Sequence, residues 1–230
     1  MLISAIPAMA LLIGSPSEPM PPYADAPFLD YYAQAVAAER SEPRKALAML
    51  ELMLIPQDSA VAPDYADVPD HLRANYAAAV DRALGLWGEA LGDDFPMHLA
   101  PKSWGKPAFT LKFVSRISGA SIDQKGEIFV RRKVSWGRDF HVGEVMGTLT
   151  VVKFGIRNEF MSEKEVQHVV AHELGHAFGL ADCDDLNRIM GPVVLGNPFA
   201  RLHSDEVAKV KSIRSAIRSE ISRLKKRVLP

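Results

Sequence analysis

The residues with the clearest chemistry lie in the stretch HELGHAFGLADCDD, which begins at His172. His172 and His176 are four residues apart, so on a helix both imidazoles project from one face, one turn apart. That separation suits two nitrogens that bind one zinc ion at about 2.0–2.1 Å. Glu173 is rotated by about 100 degrees from His172, where its carboxylate can take a proton from a metal-bound water. The spacing therefore predicts a metal site suited to hydrolysis.

A helix must present these side chains, and the sequence marks both of its ends. Ser162 followed by Glu165 forms a capping box, in which each side chain satisfies a backbone N–H of the other residue. Gly179 supplies the left-handed turn that lets the chain leave the helix and reverse. The opposite face is apolar and suited to packing, with Val166, Val170, Leu174 and Ala177. The alternative is an ordinary amphipathic helix with surface histidines.

An acid is expected to complete the metal site. Asp182 lies six residues beyond His176 and has the best spacing, and Asp184 and Asp185 follow closely. Two neutral imidazoles and one carboxylate leave a zinc site with a net charge of about +1, so its water is less acidic than beside three imidazoles. His168, one turn before His172, is expected at the rim or surface. His203 is kept as a spare ligand.

Composition limits the classes of protein to consider. The chain has 230 residues, of which 48% are hydrophobic and 24% are charged, and its formal net charge is -1. This balance is typical of a soluble globular protein and gives no general reason to expect a nucleic-acid partner. Cys183 is the one cysteine, so neither an internal disulfide nor a cysteine cluster for zinc is expected.

Three regions are predicted along the chain. Residues 1–27 comprise an apolar leader and a proline-rich linker, and the leader resembles a signal peptide, so we expect a secreted or extracytoplasmic protein. A hydrophobic start that packs or frays is the alternative. Residues 28–68 form a helical N-terminal segment and linker, either a pro-region covering the cleft or an accessory helical pair. Residues 69–230 form the main domain.

The main domain is predicted to be α+β. An amphipathic helix that carries Trp87 is followed by three β-rich runs separated by turns that contain glycine. These runs are Phe109–Val114, residues 127–134 and residues 148–154. Helices then begin at Ser162 and near Ser204.

From His172 to Met190 the sequence resembles the metzincin metallopeptidases, whose pattern is HExxHxxGxxH followed by a Met-turn. Here Asp182 replaces the third histidine, as in small bacterial peptidases of the snapalysin type, and NRIMGP places Met190 at the Met-turn. Within that clan the stretch is most similar to matrixin-type catalytic domains. The resemblance implies a metzincin-like zincin domain with a twisted mixed β-sheet, an active-site helix and a C-terminal helix, here preceded by a short helical segment.

The resemblance also implies roles for these residues. His172, His176 and Asp182 would hold one catalytic zinc ion, Glu173 would act as general base, and Met190 would form a hydrophobic floor without binding metal. The expected activity is that of a zinc-dependent endopeptidase acting on peptide or protein substrates. The alternative is a zinc-stabilised, catalytically inactive binding module.

Further expectations concern the surfaces around the site. Residues 148–154 are expected to be an exposed edge strand that binds the substrate backbone, and residues 191–197 to wall a side-chain pocket. The last helix, from Ser204, has an apolar side and many basic residues. We favour a helix packed on the domain over one that contacts a membrane surface or a partner, and we expect a monomer.

Overall fold

The computed structural model describes residues 20–100, 106–136, 141–155 and 157–228. The apolar leader expected at residues 2–14 lies outside these ranges. The helices are α1 (Ala26–Ala38), α2 (Pro43–Met53), α3 (Asp70–Leu91), α4 (Glu163–Ala177) and α5 (Ser204–Val228). The strands are β1 (Ser59–Asp64), β2 (Met97–Leu99), β3 (Phe109–Val114), β4 (Gly126–Trp136) and β5 (His141–Val152). A 3-10 turn, Gly92–Asp94, follows α3.

The five strands form one mixed sheet in the order β2-β1-β3-β5-β4. Strands β2, β1, β3 and β5 run parallel to one another, and β4 runs antiparallel to β5. The α+β class and the mixed sheet are thereby confirmed. The expectation that residues 148–154 form an edge strand is wrong, because β5 lies between β3 and β4. Strand β4 is at the edge instead, since alternation within a strand carries no information about its neighbours.

Strand β1 corrects a second expectation, because residues 59–64 lie in the segment for which helices and a linker are predicted. Pro63 is atypical of a strand, since proline cannot donate to a ladder. The structure shows how the sheet accepts it: β2 pairs only with Ser59–Val61, so at Pro63 strand β1 has β3 on one side and no paired residue of β2 on the other. Proline is tolerated at such an edge position.

The N-terminal helices share the hydrophobic core with the rest of the fold. Phe28 of α1 and Leu50 of α2 belong to the same buried cluster as Val151 of β5 and Leu174 of α4. A boundary at residue 69 therefore does not separate two cores. Instead, α2 packs against α5 and against strands β4 and β5, and α1 packs against α2.

Helix α5 is packed on the domain through its apolar side. Val210, Ile213, Ile217 and Leu224 are buried in the common core. Its basic residues reach acids on other elements, and Arg223 forms an ion pair with Glu39. This arrangement matches the packed-helix interpretation favoured above. None of the described helices is long and apolar enough to cross a membrane.

Candidate active site

Helix α4 begins at the capping box that the sequence indicated. The backbone N–H of Ser162 donates to Glu165 Oε2 at 2.6 Å, and that of Glu165 donates to Ser162 Oγ at 3.4 Å. Glu165 Oε1 also accepts a hydrogen bond from the N–H of Gly196 at 2.7 Å. One carboxylate therefore fixes both the start of the helix and the loop that runs beside it.

The helix ends in a turn that directs the chain back toward its own histidines. Gly179 has φ 96, a conformation that residues with a Cβ rarely adopt. The N–H of Leu180 then donates to the carbonyl of Gly175 at 2.9 Å. This reversal brings Asp182 to the face of α4 that carries His172 and His176.

Three side-chain atoms from this helix and turn lie close together. His172 Nε2 is 3.1 Å from His176 Nε2, and Asp182 Oδ1 is 3.0 Å from the first nitrogen and 3.3 Å from the second. Two atoms bound to one tetrahedral zinc at about 2.0–2.1 Å are about 3.3 Å apart. The three atoms thus fit a single zinc ion, and they are the group of potential ligands found among the described residues.

Both imidazoles are oriented by hydrogen bonds to backbone carbonyls. His172 Nδ1 is 2.8 Å from the oxygen of Ile189, and His176 Nδ1 is 2.8 Å from the oxygen of Leu180. A carbonyl only accepts, so each Nδ1 donates and each Nε2 keeps its lone pair in the neutral form. Such contacts commonly fix the tautomer of a metal-binding histidine.

His172, His176 and Asp182 together form the metal triangle, and its electrostatics favour a cation. Hydrogen bonds from His172 and His176 hold the pKa of the Asp182 carboxyl well below its usual range. Burial alone would lower the pKa of His176, but the hydrogen bond to Asp182 and the charge of Glu173 outweigh it and raise this pKa to about 9. A positive charge between these side chains, whether a proton or a metal ion, is therefore stabilised.

Glu173 is buried beside the triangle, against the first residue of the edge strand. Its side chain is 5% exposed, and burial raises the pKa of its carboxyl to about 7. A Cβ on Gly126 would lie 2.3 Å from Glu173 Oε1 and 2.6 Å from Val169 Cγ1. Only glycine lets strand β4 approach the carboxylate this closely. Sequence reasoning missed Gly126, although a glycine at the start of a strand can mark a close approach.

Met190 lies beneath the helix turn between the two histidines. It is buried, and a Cβ on Gly175 would be 2.2 Å from its Sδ. The N–H of Met190 donates to Glu206 Oε1 at 2.9 Å, which anchors the turn to α5. Trp87 Nε1 of α3 donates to the carbonyl of Ala171 in α4 at 2.8 Å. Contacts with Met190 and Trp87 thus hold the helix in place.

Two histidines lie elsewhere than the spacing suggested. His168, expected at the rim or surface, is 1% exposed, so that expectation is wrong. Its Nε2 is 3.3 Å from the oxygen of Gly191, and burial lowers its pKa. The apolar environment of the loop after Met190 explains the burial. His203 pairs with Asp205 at 2.6 Å and is not part of the metal triangle, so it does not serve as a spare ligand.

A cleft of about 840 Å³ runs past these side chains. Strand β4 and residues 191–193 form two of its walls, the latter as expected for the start of the 191–197 loop. Helix α1 forms a third wall through Phe28 and Tyr31, two residues to which the sequence analysis assigned no role. The sequence of a short helix with several aromatic residues does not indicate which surface the helix packs against. The cleft is continuous from the metal triangle to α1, so α1 lines the cleft without filling it.

The segment before α1 is attached to the turn that carries Asp182. Residues Ala24 and Leu180 form an antiparallel bridge, and the N–H of Asp25 donates to the carbonyl of Gly179 at 2.8 Å. The Asp25 carboxylate lies 4.0 Å from His176 Nδ1. Residues 20–25, expected to be linker, thus contact the candidate site directly.

The family model described as matrixin, a group of peptidases, matches residues 65–214. This match includes the whole of α4, the turn with Asp182 and most of the sheet, but not α1, α2 or β1. No curated protein sequence matches the chain significantly.

Proposed function

Since the chain belongs to the matrixin family of peptidases, we propose that it is a zinc-dependent endopeptidase whose general base is Glu173. The proposal rests on one observation: ligand atoms of His172, His176 and Asp182 lie close together, and the buried carboxylate of Glu173 lies beside them. Family membership supports metallopeptidase chemistry in general.

His172, His176 and Asp182 would hold one zinc ion. When bound, zinc polarises the substrate carbonyl and makes a water molecule more acidic. The three side chains keep their positions through contacts that do not depend on the ion: two carbonyls orient the imidazoles, and the turn after Gly179 orients the aspartate. This preorganisation supports an efficient metal site.

Glu173 would accept a proton from the attacking water and pass it to the leaving amine. Burial raises the pKa of its carboxyl to about 7, and a base is most effective when its pKa is near the working pH. Gly126 leaves room for the carboxylate at the wall of the cleft. The burial of an acid beside the metal triangle is hard to explain as packing, because desolvating a carboxylate is costly.

Strand β4 would bind the substrate backbone. It is paired with β5 on one side, and its residues Gly126, Ile128 and Val130 line the cleft. A peptide can add to such an edge as a further strand, with main-chain hydrogen bonds on one side of it. Residues 191–193 face the same space and would contact a substrate side chain next to the scissile bond.

The second candidate function is a zinc-stabilised binding module without turnover. Such a module would use the same metal triangle for stability and the same cleft for binding. Glu173 distinguishes the two candidates, because a site with only a structural role gains nothing from a desolvated carboxylate.

Replacement of Glu173 by glutamine tests the proposal. Glu173→Gln keeps the shape and size of the side chain but cannot accept the proton, so we expect peptide cleavage to fall by about a hundredfold to ten-thousandfold. Zinc content, measured by mass spectrometry of the dialysed protein, should be unchanged. Cleavage is followed with a mixed library of fluorogenic peptides.

Glu163→Gln is the matched control, because Glu163 lies on the first turn of the same helix and pairs with Arg82. It should retain both zinc and activity. Equal cleavage by the Glu173→Gln variant and the unaltered protein would refute the role of Glu173. An unaltered, zinc-loaded protein that cleaves nothing in the library would favour the binding module.

A further inference from the structure

Arg132 lies in the cleft, far along the edge strand from Glu173. It is on β4 and lies on the same side of the strand as Gly126, Ile128 and Val130. All four line the cleft, as do the intervening Glu127 and Phe129. Six residues separate Arg132 from Gly126, and at about 3.3 Å per residue this is about 20 Å. A peptide that pairs with β4 would therefore pass Arg132 several residues away from the scissile bond.

The guanidinium group is held by uncharged groups of the N-terminal helices. Arg132 Nε donates to the carbonyl of Leu52 in α2 at 3.3 Å. Its Cζ is 5.4 Å from the ring centroid of Phe28 and 5.4 Å from that of Tyr31, both in α1. These contacts restrain the plane of the guanidinium but use only one of its five N–H donors.

No carboxylate among the described residues lies within 4 Å of this cation, although sixteen ion pairs, including those of histidines, occur elsewhere in them. Burial lowers the pKa of Arg132 to about 10, and the Tyr31 phenol offsets this only in part. The group is still charged at neutral pH. Its charge is thus partly desolvated by the wall of the cleft and is not neutralised by a carboxylate there.

An arginine in this setting is suited to one kind of ligand. A desolvated cation without a partner is unfavourable, and a carboxylate restores the lost interaction with two parallel N–H···O bonds. The aromatic rings exclude water from one side of the guanidinium and so strengthen such a bond. A neutral peptide group would leave the charge uncompensated.

We propose that Arg132, framed by Phe28 and Tyr31, forms a carboxylate-binding subsite of the cleft, which selects peptides carrying an acidic group several residues from the cleaved bond. The inference rests on the proposed function, since it assumes that the cleft binds peptides. The carboxylate can belong to an aspartate or glutamate side chain or to the C-terminus of the substrate. The alternative role, a clamp that only joins α1 and α2 to β4, predicts no preference for acids.

Binding rather than cleavage tests the subsite, so that its failure differs from failure of the proposed chemistry. The probes are fluorescein-labelled twelve-residue peptide mixtures with aspartate or asparagine fixed at one position, scanned along the peptide. A second set compares a free C-terminus with an amidated one. Affinities are measured by fluorescence anisotropy with the Glu173→Gln protein, which binds without turnover, while cleavage by the unaltered protein tests the function separately.

We expect acid-containing mixtures to bind about tenfold to a hundredfold more tightly than their neutral counterparts at one position, the range for a charge-assisted bond. The position, or the C-terminus, then identifies the source of the carboxylate. Addition of Arg132→Gln should abolish the preference. Arg131→Gln is the matched control, because the neighbouring Arg131 points to the opposite side of β4 and is exposed, so the preference should remain.

Equal binding of acidic and neutral mixtures throughout would overturn the proposal, as would a preference that survives Arg132→Gln. Circular dichroism shows whether that variant is folded. Should it not fold, Arg132→Lys decides the question, because lysine keeps the charge but loses the planar fork. In that variant an acid preference reduced severalfold supports the subsite, and an unchanged preference refutes it.

Discussion

Helices α4 and α1 reach the same cleft, but they contribute different chemistry to it. Helix α4 and its following turn supply nitrogen and carboxylate groups, held by backbone hydrogen bonds within about twenty residues of sequence. Helix α1 supplies aromatic rings and is held by contacts with residues far along the chain, such as Gly179 and Arg132. The family match includes α4 and stops short of α1.

From this difference we expect catalysis and substrate selectivity to depend on different parts of the chain. The metal triangle and Glu173 belong to the part of the chain that matches other matrixins. The far end of the cleft is lined by Phe28 and Tyr31 of α1, which lies outside the match. We therefore expect changes in α4 to affect metal binding and catalysis, and changes in α1 to affect stability and the choice of substrate.

The largest expected effect is that of Asp182→Ala on metal binding. Zinc binding to protein sites contributes about 10–16 kcal/mol, shared among about four ligands, so removal of one ligand should weaken affinity by about a hundredfold to a thousandfold. Affinity is measured by competition with a fluorescent chelator. Asp184→Ala is the matched control, since Asp184 is close in sequence but not in the triangle. A zinc affinity that withstands Asp182→Ala would remove the aspartate from the metal site.

A smaller effect, on folding, is expected from Phe28→Ala in α1. Phe28 is 2% exposed, and its removal should lower the free energy of unfolding by about 3 kcal/mol. Urea denaturation in the presence of a chelator measures this, with Asp30→Ala on the exposed side of α1 as control. We expect zinc affinity to change less than tenfold. A loss as large as that of Asp182→Ala would contradict the comparison and make α1 part of the metal centre.

The smallest effect is the pH dependence of zinc affinity. The pKa of His176 is raised to about 9, so at neutral pH a proton occupies the imidazole and must leave before the metal binds. Affinity should therefore fall as the pH falls, by about tenfold per unit below 9. Chelator competition at pH 6, 7 and 8 measures the slope. Asp182→Asn should flatten the slope of zinc affinity between pH 7 and 8, because the Asp182 carboxylate raises the pKa of His176. Equal affinities at all three pH values in the unaltered protein would contradict the argument.

Local signals in the sequence predicted the metal-bearing helix well. The capping box at Ser162, the spacing of His172 and His176, and Gly179 after the helix depend on neighbours within a few turns, and the structure contains each as expected. The chain's reversal to Asp182 also follows from a short turn. Such features are encoded over distances that periodicity and turn chemistry can describe.

Features that depend on distant parts of the chain were missed. The sheet places β5 inside and β4 at the edge, although both have alternating patterns, because strand order is decided by pairing between separated segments. Strand β1 was not predicted, and Pro63 within it is atypical of a strand. The burial of His168, the proximity of Gly126 to Glu173 and the aromatic frame of Arg132 all arise from packing that joins residues far apart in sequence.

The bridge between residues 23–25 and 179–181 has a thermodynamic consequence. An ion that fixes Asp182 also restrains Ala181, whose N–H donates to the carbonyl of Tyr23 at 3.1 Å. Occupancy of the metal triangle and attachment of the N-terminal segment then stabilise each other by the same amount, because linkage is reciprocal. The start of the described chain is in this way energetically coupled to the state of the metal triangle.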